Sequence, residues 1–176
     1  MSHPVNKDQP DIPDGYGLAD TDNNLLEWED VDKQLCEALH YWLSTTRPDG
    51  RPHVVPRWGA WIDGTLYYDG SPETVHARNL STNQACTLHI GSGADAIIVD
   101  GHATASRPVD GNAGGLGEAI AAEIGRKYSA LGYEPAADAW SGPDAGGLAI
   151  FSPSKALAWN SFPVDLTRFR FDPTQH

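Results

Sequence analysis

The sequence of 176 residues predicts a mainly β fold, a small antiparallel barrel with peripheral α-helices. Three observations lead there. Arg47-Pro48-Asp49-Gly50 and Ile62-Asp63-Gly64 place proline and Asp-Gly at turn positions between runs rich in β-branched and aromatic residues, a hairpin signal. Thr167–Phe171 alternates polar and aromatic residues, as a half-buried strand does. Apolar residues at helical spacing are confined to short segments at the flanks of these runs.

Residues 1–24 are rich in proline and aspartate and read as a mobile acidic tail. Residues 25–176 then form one domain, a length that suffices for a sizeable core. From Glu29 to His40, Val31, Leu35, Ala38 and Leu39 fall near helical spacing, so a helix packs on the barrel ahead of its first strand. His40 at its end fits a partner for the helix dipole.

The stretch from Tyr41 to Asn83 organises the chain. Tyr41–Thr46, Val54–Trp61 and Leu66–Tyr68 suit pleated sheet. Pro52 and Pro56 cannot donate to a ladder, so the second run is an edge or bulged strand. Such an edge either receives a flat ligand or is simply protected from aggregation. A short helix follows, with Ser71 as N-cap and Pro72 in its first turn. Its free N–H groups can receive an anion, helped by Thr74, His76 and Arg78. A plain capped helix, with Glu73 satisfying the dipole, is the competing reading.

Ala85–Ile90 and Ala96–Ala105 read as two further strands around Gly91-Ser92-Gly93. His53, His89 and His102 lie on strands and lack the spacing of a metal site. Gly111–Gly117 is glycine-rich but lacks the ending of a nucleotide-binding loop. Glu118–Leu131 is a helix with Ile120, Ala121, Ile124, Tyr128 and Leu131 on one stripe, ended by Gly132. Pro135–Gly147 is a loop of a length that could cover a site. Leu148–Phe151 and Ala156–Trp159 are expected as separate closing strands. Arg168 and Arg170 share a face of the last strand.

Composition narrows function. A net charge of −12 is unsuited to nucleic acid, whose phosphates need basic surface. Acidity with only four lysines suits a halophilic, high-salt setting, where carboxylate repulsion is screened. Cys36 and Cys86 suggest no disulfide framework and read as buried thiols. No apolar run is long enough to span a membrane and the N-terminus is polar, so a cytoplasmic protein with no membrane partner is expected.

Several motifs in order carry a family resemblance: Tyr41-Trp42-Leu43, Asp49-Gly50-Arg51-Pro52-His53, Pro56 with Trp58-Gly59, Thr74 followed by Ala77-Arg78-Asn79-Leu80, and Asp100-Gly101. Over about residues 28–171 the chain resembles the FMN-binding split-barrel superfamily that includes pyridoxamine 5′-phosphate oxidase, and is similar to its flavin/deazaflavin oxidoreductase branch using coenzyme F420. The resemblance implies an antiparallel split β-barrel, a homodimer, and a cofactor groove at the subunit interface. It also implies a cofactor-binding set of His53, Val55, Pro56, Arg57, Trp58, Tyr68, Thr74, His76, Arg78, Asn79 and Trp159, with the Thr74–Asn79 helix on the phosphate. The family usually carries lysine where this chain has His76. A tryptophan matching Trp159 and a closing Thr-Arg-aromatic-Arg strand are usual, whereas the substrate-phosphate motif of true pyridoxamine 5′-phosphate oxidases has no clear match.

The expected function is therefore F420-dependent reduction of a small organic substrate. The alternatives are an FMN-dependent pyridoxamine 5′-phosphate oxidase-like enzyme or a non-catalytic flavin- or haem-binding protein. Such cofactors carry the redox chemistry, which accounts for the lack of an evident acid–base pair or nucleophile.

Overall fold

The structure, a computed structural model, describes residues 4–13, 15–16, 24–104, 115–141 and 147–172. Most of the Gly111–Gly117 loop, part of the acidic tail and residues 142–146 of the Pro135–Gly147 loop lie outside the described residues. The elements are β1 (Pro4–Asp8), α1 (Trp28–Glu37), β2 (Tyr41–Thr46), β3 (Pro52–Arg57), β4 (Ala60–Ile62), β5 (Thr65–Gly70), α2 (Val75–Thr82), β6 (Ala85–Gly91), β7 (Ala96–Ala103), α3 (Gly115–Tyr128), β8 (Gly147–Trp159) and β9 (Thr167–Phe171). The strands form one antiparallel sheet in the order β1-β9-β8-β7-β6-β2-β3, with β5 branching from β8 and carrying β4. This is an antiparallel split β-barrel with peripheral helices.

The split is made by β8. Its first residues, 147–151, pair with β5, residues 155–158 pair with β9, and β7 runs along residues 151–159. The two closing strands expected from sequence are thus one strand of 13 residues. Ser152-Pro153-Ser154 is the apparent break, but a register shift between Asp100 and Gly101 absorbs the extra residue there, as a bulge does. Ser154 Oγ closes the gap by donating to the Asp100 carbonyl at 3.0 Å. Gly101 is required at this crossing. A Cβ on it would lie 2.2 Å from the Ser152 carbonyl oxygen and 2.7 Å from the Phe151 ring.

Pro4–Asp8, which composition places in a mobile tail, instead forms β1 and pairs with β9. Charge pairing distant in sequence accompanies this placement. Asp8 accepts from Arg168 at 2.8 and 2.6 Å and pairs with Arg170 at 3.0 Å. These hydrogen bonds hold the Asp8 carboxyl below its ordinary range.

The main core fills the barrel, with Tyr41, Leu43, Leu66, Leu88, Val99, Phe151 and Phe169 fully buried. Helix α1 closes it: Val31 and Leu35 are buried, and Trp28 stands edge-on to Phe169 and Phe171 at 5.2 and 4.9 Å. Leu39 lies beyond the end of this helix and is exposed. A second core joins Ile120, Ile124 and Tyr128 of α3 to Ala60, Trp140 and Leu148. Leu131 is exposed, because α3 ends at Tyr128 and a 3₁₀ turn follows, closed by Gly132 at φ +82°. No described helix is long and apolar enough to cross a membrane.

Candidate cofactor site between β3 and α2

Among the described residues strand β3 ends the path of the sheet and pairs with β2. Its residues alternate: His53, Val55 and Arg57 are half-buried, while Pro52, Val54 and Pro56 are exposed. The two prolines remove N–H groups from an outer edge, as expected of an edge strand. Val55 packs against the main core, which holds the inward row against the barrel.

Helix α2 lies across this row. Its N-cap is Thr74, not Ser71. Ser71–Thr74 form a turn of their own: Ser71 Oγ accepts from Glu73 N at 3.2 Å, and Thr74 N donates to the Ser71 carbonyl at 3.2 Å. Pro72 therefore sits in the turn before the helix. Thr74 Oγ1 accepts from Ala77 N at 3.4 Å, leaving the first-turn N–H groups of Val75 and His76 without intrahelical acceptors.

His76, Asn79 and Leu80 face inward and are buried, and Arg78 is exposed on another face. Asn79 donates through Nδ2 to Thr45 Oγ1 at 2.9 Å. It is a structural tie between α2 and β2. His76 Nε2 lies 3.3 Å from Thr74 Oγ1. Burial, then the Arg57 charge, then His53 push the His76 imidazole down to about 4. It is therefore neutral near pH 7 before any anion approaches.

The fixed positive charge of this cluster is Arg57. Its Nη2 donates to the Asp69 carbonyl, its guanidinium carbon lies 5.5 Å from the centroid of the Tyr68 ring, and its Nε is buried with no hydrogen-bond partner among the described residues. The Tyr68 hydroxyl is also buried and without a partner, and burial raises its pKa. Gly70 lets the Arg57 guanidinium approach closely near His76: a Cβ there would meet Arg57 Nη2 at 3.1 Å and His76 Nε2 at 3.9 Å.

Beside this cluster is a cavity of about 350 Å³ lined by Pro56, Arg57, Trp58, Asp69 and Tyr133. Trp58 stacks on Tyr128 with ring centroids 4.9 Å apart and planes 8° apart. Asp69 Oδ2 accepts from the Tyr133 hydroxyl and from Trp140 Nε1 at 3.4 Å. Behind the wall, buried Lys127 donates to Tyr41 OH at 2.9 Å and to the Gly59 carbonyl at 3.1 Å. Burial pushes its amine down to about 8.

The structure thus brings His53, Arg57, Tyr68, Thr74 and His76 together, with Pro56 and Trp58 on the adjoining wall. It does not bring in Trp159. That indole stands edge-on to Phe162 at 5.5 Å, with Nε1 buried and without a hydrogen-bond partner among the described residues. Sequence reasoning missed Gly70, Asp69 and Tyr133. The aromatic residues Tyr133 and Trp140, around the start of a segment otherwise read as loop, were the available signal. His53, His89 and His102 lie on three different strands, and among the described residues no group of three or more His, Cys, Asp or Glu side chains could hold a metal ion.

The pyridoxamine 5′-phosphate oxidase family profile matches residues 28–144. None of the curated proteins matches this sequence. Among solved structures, an F420 reductase is 21% identical with a TM-score of 0.52, over 82% of this chain and 98% of that one. The haem storage protein HutZ from Vibrio cholerae is 18% identical with a TM-score of 0.51, over 74% and 91%. A conserved hypothetical protein from Mycobacterium tuberculosis is 14% identical with a TM-score of 0.60, over 81% and 89%. At these identities the structural likenesses establish the fold alone.

Proposed function

The chain belongs to the pyridoxamine 5′-phosphate oxidase family, and from that premise we propose that it is an oxidoreductase using a flavin-type cofactor, coenzyme F420 in the first instance, to reduce a small organic substrate. The observation that carries this reading is the cluster at the start of α2. Arg57, packed against Gly70 and near His76, lies with the first-turn N–H groups of α2 beside an edge strand, and together they can cradle an anion. Helix starts suit phosphate for two reasons, unpaired donors and the dipole. The unpartnered Arg57 Nε and Tyr68 hydroxyl fit a site built for a polar group, since buried polar atoms ordinarily have partners.

When bound, the cofactor supplies hydride exchange at its ring. The chain supplies position and environment. Arg57 and the α2 start hold the anion, His53 and Val55 line the inward row, and Pro56 and Trp58 flank the adjoining space. FMN is the second reading, supported by the family membership itself. A non-catalytic haem-binding role is the third, supported by the likeness to HutZ.

A homodimer completes the reading. Trp42, Val54 and Pro56 form an exposed face across β2 and β3, with Trp42 opposite Pro56 and stacked on His89 at 6.4 Å. A second copy would cover that face and bring its own Trp159 to the groove. The test is to titrate F420, FMN and haem separately into purified protein, following absorbance and fluorescence, with native mass spectrometry for stoichiometry. Saturable F420 binding by a dimer is the expected result. Binding of haem alone, or of none of the three, overturns the proposal.

A further inference from the structure

We propose that the cavity beside the cradle is a substrate pocket that selects a flat, neutral ring carrying an N–H or O–H donor next to a carbonyl, such as an unsaturated lactam. This deepens the oxidoreductase reading and rests on it for the fate of the ligand, though not for its binding. The cavity has a volume of about 350 Å³, near the lower end of small-molecule pockets, and is lined by the aromatic Trp58 and Tyr133, the ionisable Arg57 and Asp69, and Pro56.

The flat wall is Trp58, fixed by its stack on Tyr128 and backed by Tyr133 at 5.9 Å. Indole held in this way presents a rigid apolar face to a ring.

The first polar wall is an acceptor. The Tyr133 hydroxyl and Trp140 Nε1 both donate to Asp69 Oδ2. Burial first, and then the Asp69 hydrogen bond, raise the Tyr133 pKa, so its proton stays on the phenol and points at the carboxylate. The Tyr133 oxygen is left with lone pairs only. The Asp69 carboxylate and the Tyr133 oxygen on this wall therefore accept and do not donate.

The second polar wall is a donor. Arg57 lines the same cavity, and its guanidinium only donates, with Nη2 committed to the Asp69 carbonyl. A ligand that meets both walls needs a donor edge and an acceptor edge side by side. A carboxylate ligand would face Asp69, and an amine would face Arg57, so a neutral ring is preferred. Rejection of an analogue without the donor is strong where buried site groups would otherwise stay unpaired.

The test uses a matched pair of probes, 5,6-dihydropyridin-2(1H)-one and its N-methyl derivative, which differ by one hydrogen-bond donor. Dissociation constants are read by ligand-detected NMR on the full chain, with no turnover required. The expected result is at least about a tenfold preference for the N–H lactam in the wild type. It should fall to within twofold in Asp69→Ala and be reduced in Tyr133→Phe. Asp69→Asn keeps the shape and carries the same readout if the alanine variant does not fold. Equal binding of the two probes, binding of neither, or a preference that survives both Asp69 variants overturns the proposal. F420 and FMN titrations of the wild type are read separately. A lactam preference without cofactor binding would retain the pocket and remove the redox reading, and the converse would do the opposite.

Discussion

Asn79 of α2 donates through Nδ2 to Thr45 Oγ1 of β2 at 2.9 Å, with both residues buried. This one bond fixes the helix against the strand that pairs with β3, and so fixes the start of α2 beside Arg57. Thr45→Val leaves the Asn79 amide buried without this acceptor, a cost of about 1–3 kcal/mol. Asn79→Leu should cost less, since Thr45 Oγ1 still donates to the His53 carbonyl at 3.5 Å. The double variant should cost clearly less than the sum, because no orphan remains. Urea unfolding of the four proteins checks it, and additive losses would show that the bond is not the shared cause.

Arg57 and Arg78 differ in exposure. Arg57 is half-buried beside Gly70 and His76, while Arg78 is exposed. In the proposed site Arg57→Ala should weaken cofactor binding by about 1.5–3 kcal/mol, the scale of a charged hydrogen bond. Arg78→Ala should cost less, since solvent screens an exposed charge. Cofactor titration by fluorescence compares the two. A larger loss for Arg78 would move the phosphate to the outer face of the helix.

His76 makes the protein acid-sensitive. Its folded pKa of about 4 lies below the ordinary 6.5, so the unfolded chain takes up the proton first as pH falls. Stability held by the neutral ring is full above pH 6.5 and drains away between 6.5 and 4, by on the order of 2–3 kcal/mol. Thermal melts from pH 7 to 4 should show this loss in the wild type and less of it in His76→Gln. A bound phosphate acts in the opposite direction and favours the imidazolium, so cofactor affinity should rise as pH falls. His76→Lys should bind with little pH dependence near neutrality and with equal or higher affinity, because ammonium stays charged more readily.

Salt should stabilise the chain. A net charge of −12 repels itself in dilute buffer, and screening shortens that repulsion to within about 10 Å at 0.1 M salt. The melting temperature should rise from dilute buffer to molar potassium chloride. Part of the gain is offset where salt also weakens exposed pairs such as Asp49–Arg51. A flat or falling curve would remove the proposed adaptation to a high-salt setting.

The sequence by itself determined the β-rich class, the turns at Asp49-Gly50 and Asp63-Gly64, the edge role of β3 and the apolar faces of α1 and α3. Each is set by neighbours in the chain: a proline without an N–H, a glycine free to take positive φ, or a periodicity of two or 3.6. The sequence also drew attention to Pro56, Arg57 and Trp58, which line the cavity beside β3. Tertiary structure alone decided what those residues became. His76 is neutral because folding buries it beside Arg57, and Asn79 is a tie because Thr45 lies opposite. Asp69, Tyr133 and Trp140 meet only across gaps of 64 and 71 residues, so no local pattern marks them. The same holds for β1, whose Asp8 finds Arg168 across 160 residues, and for β8, which stays continuous through Pro153 because β7 shifts register beside it. Burial and long-range partners set these outcomes, and neither is a property of a short stretch of sequence.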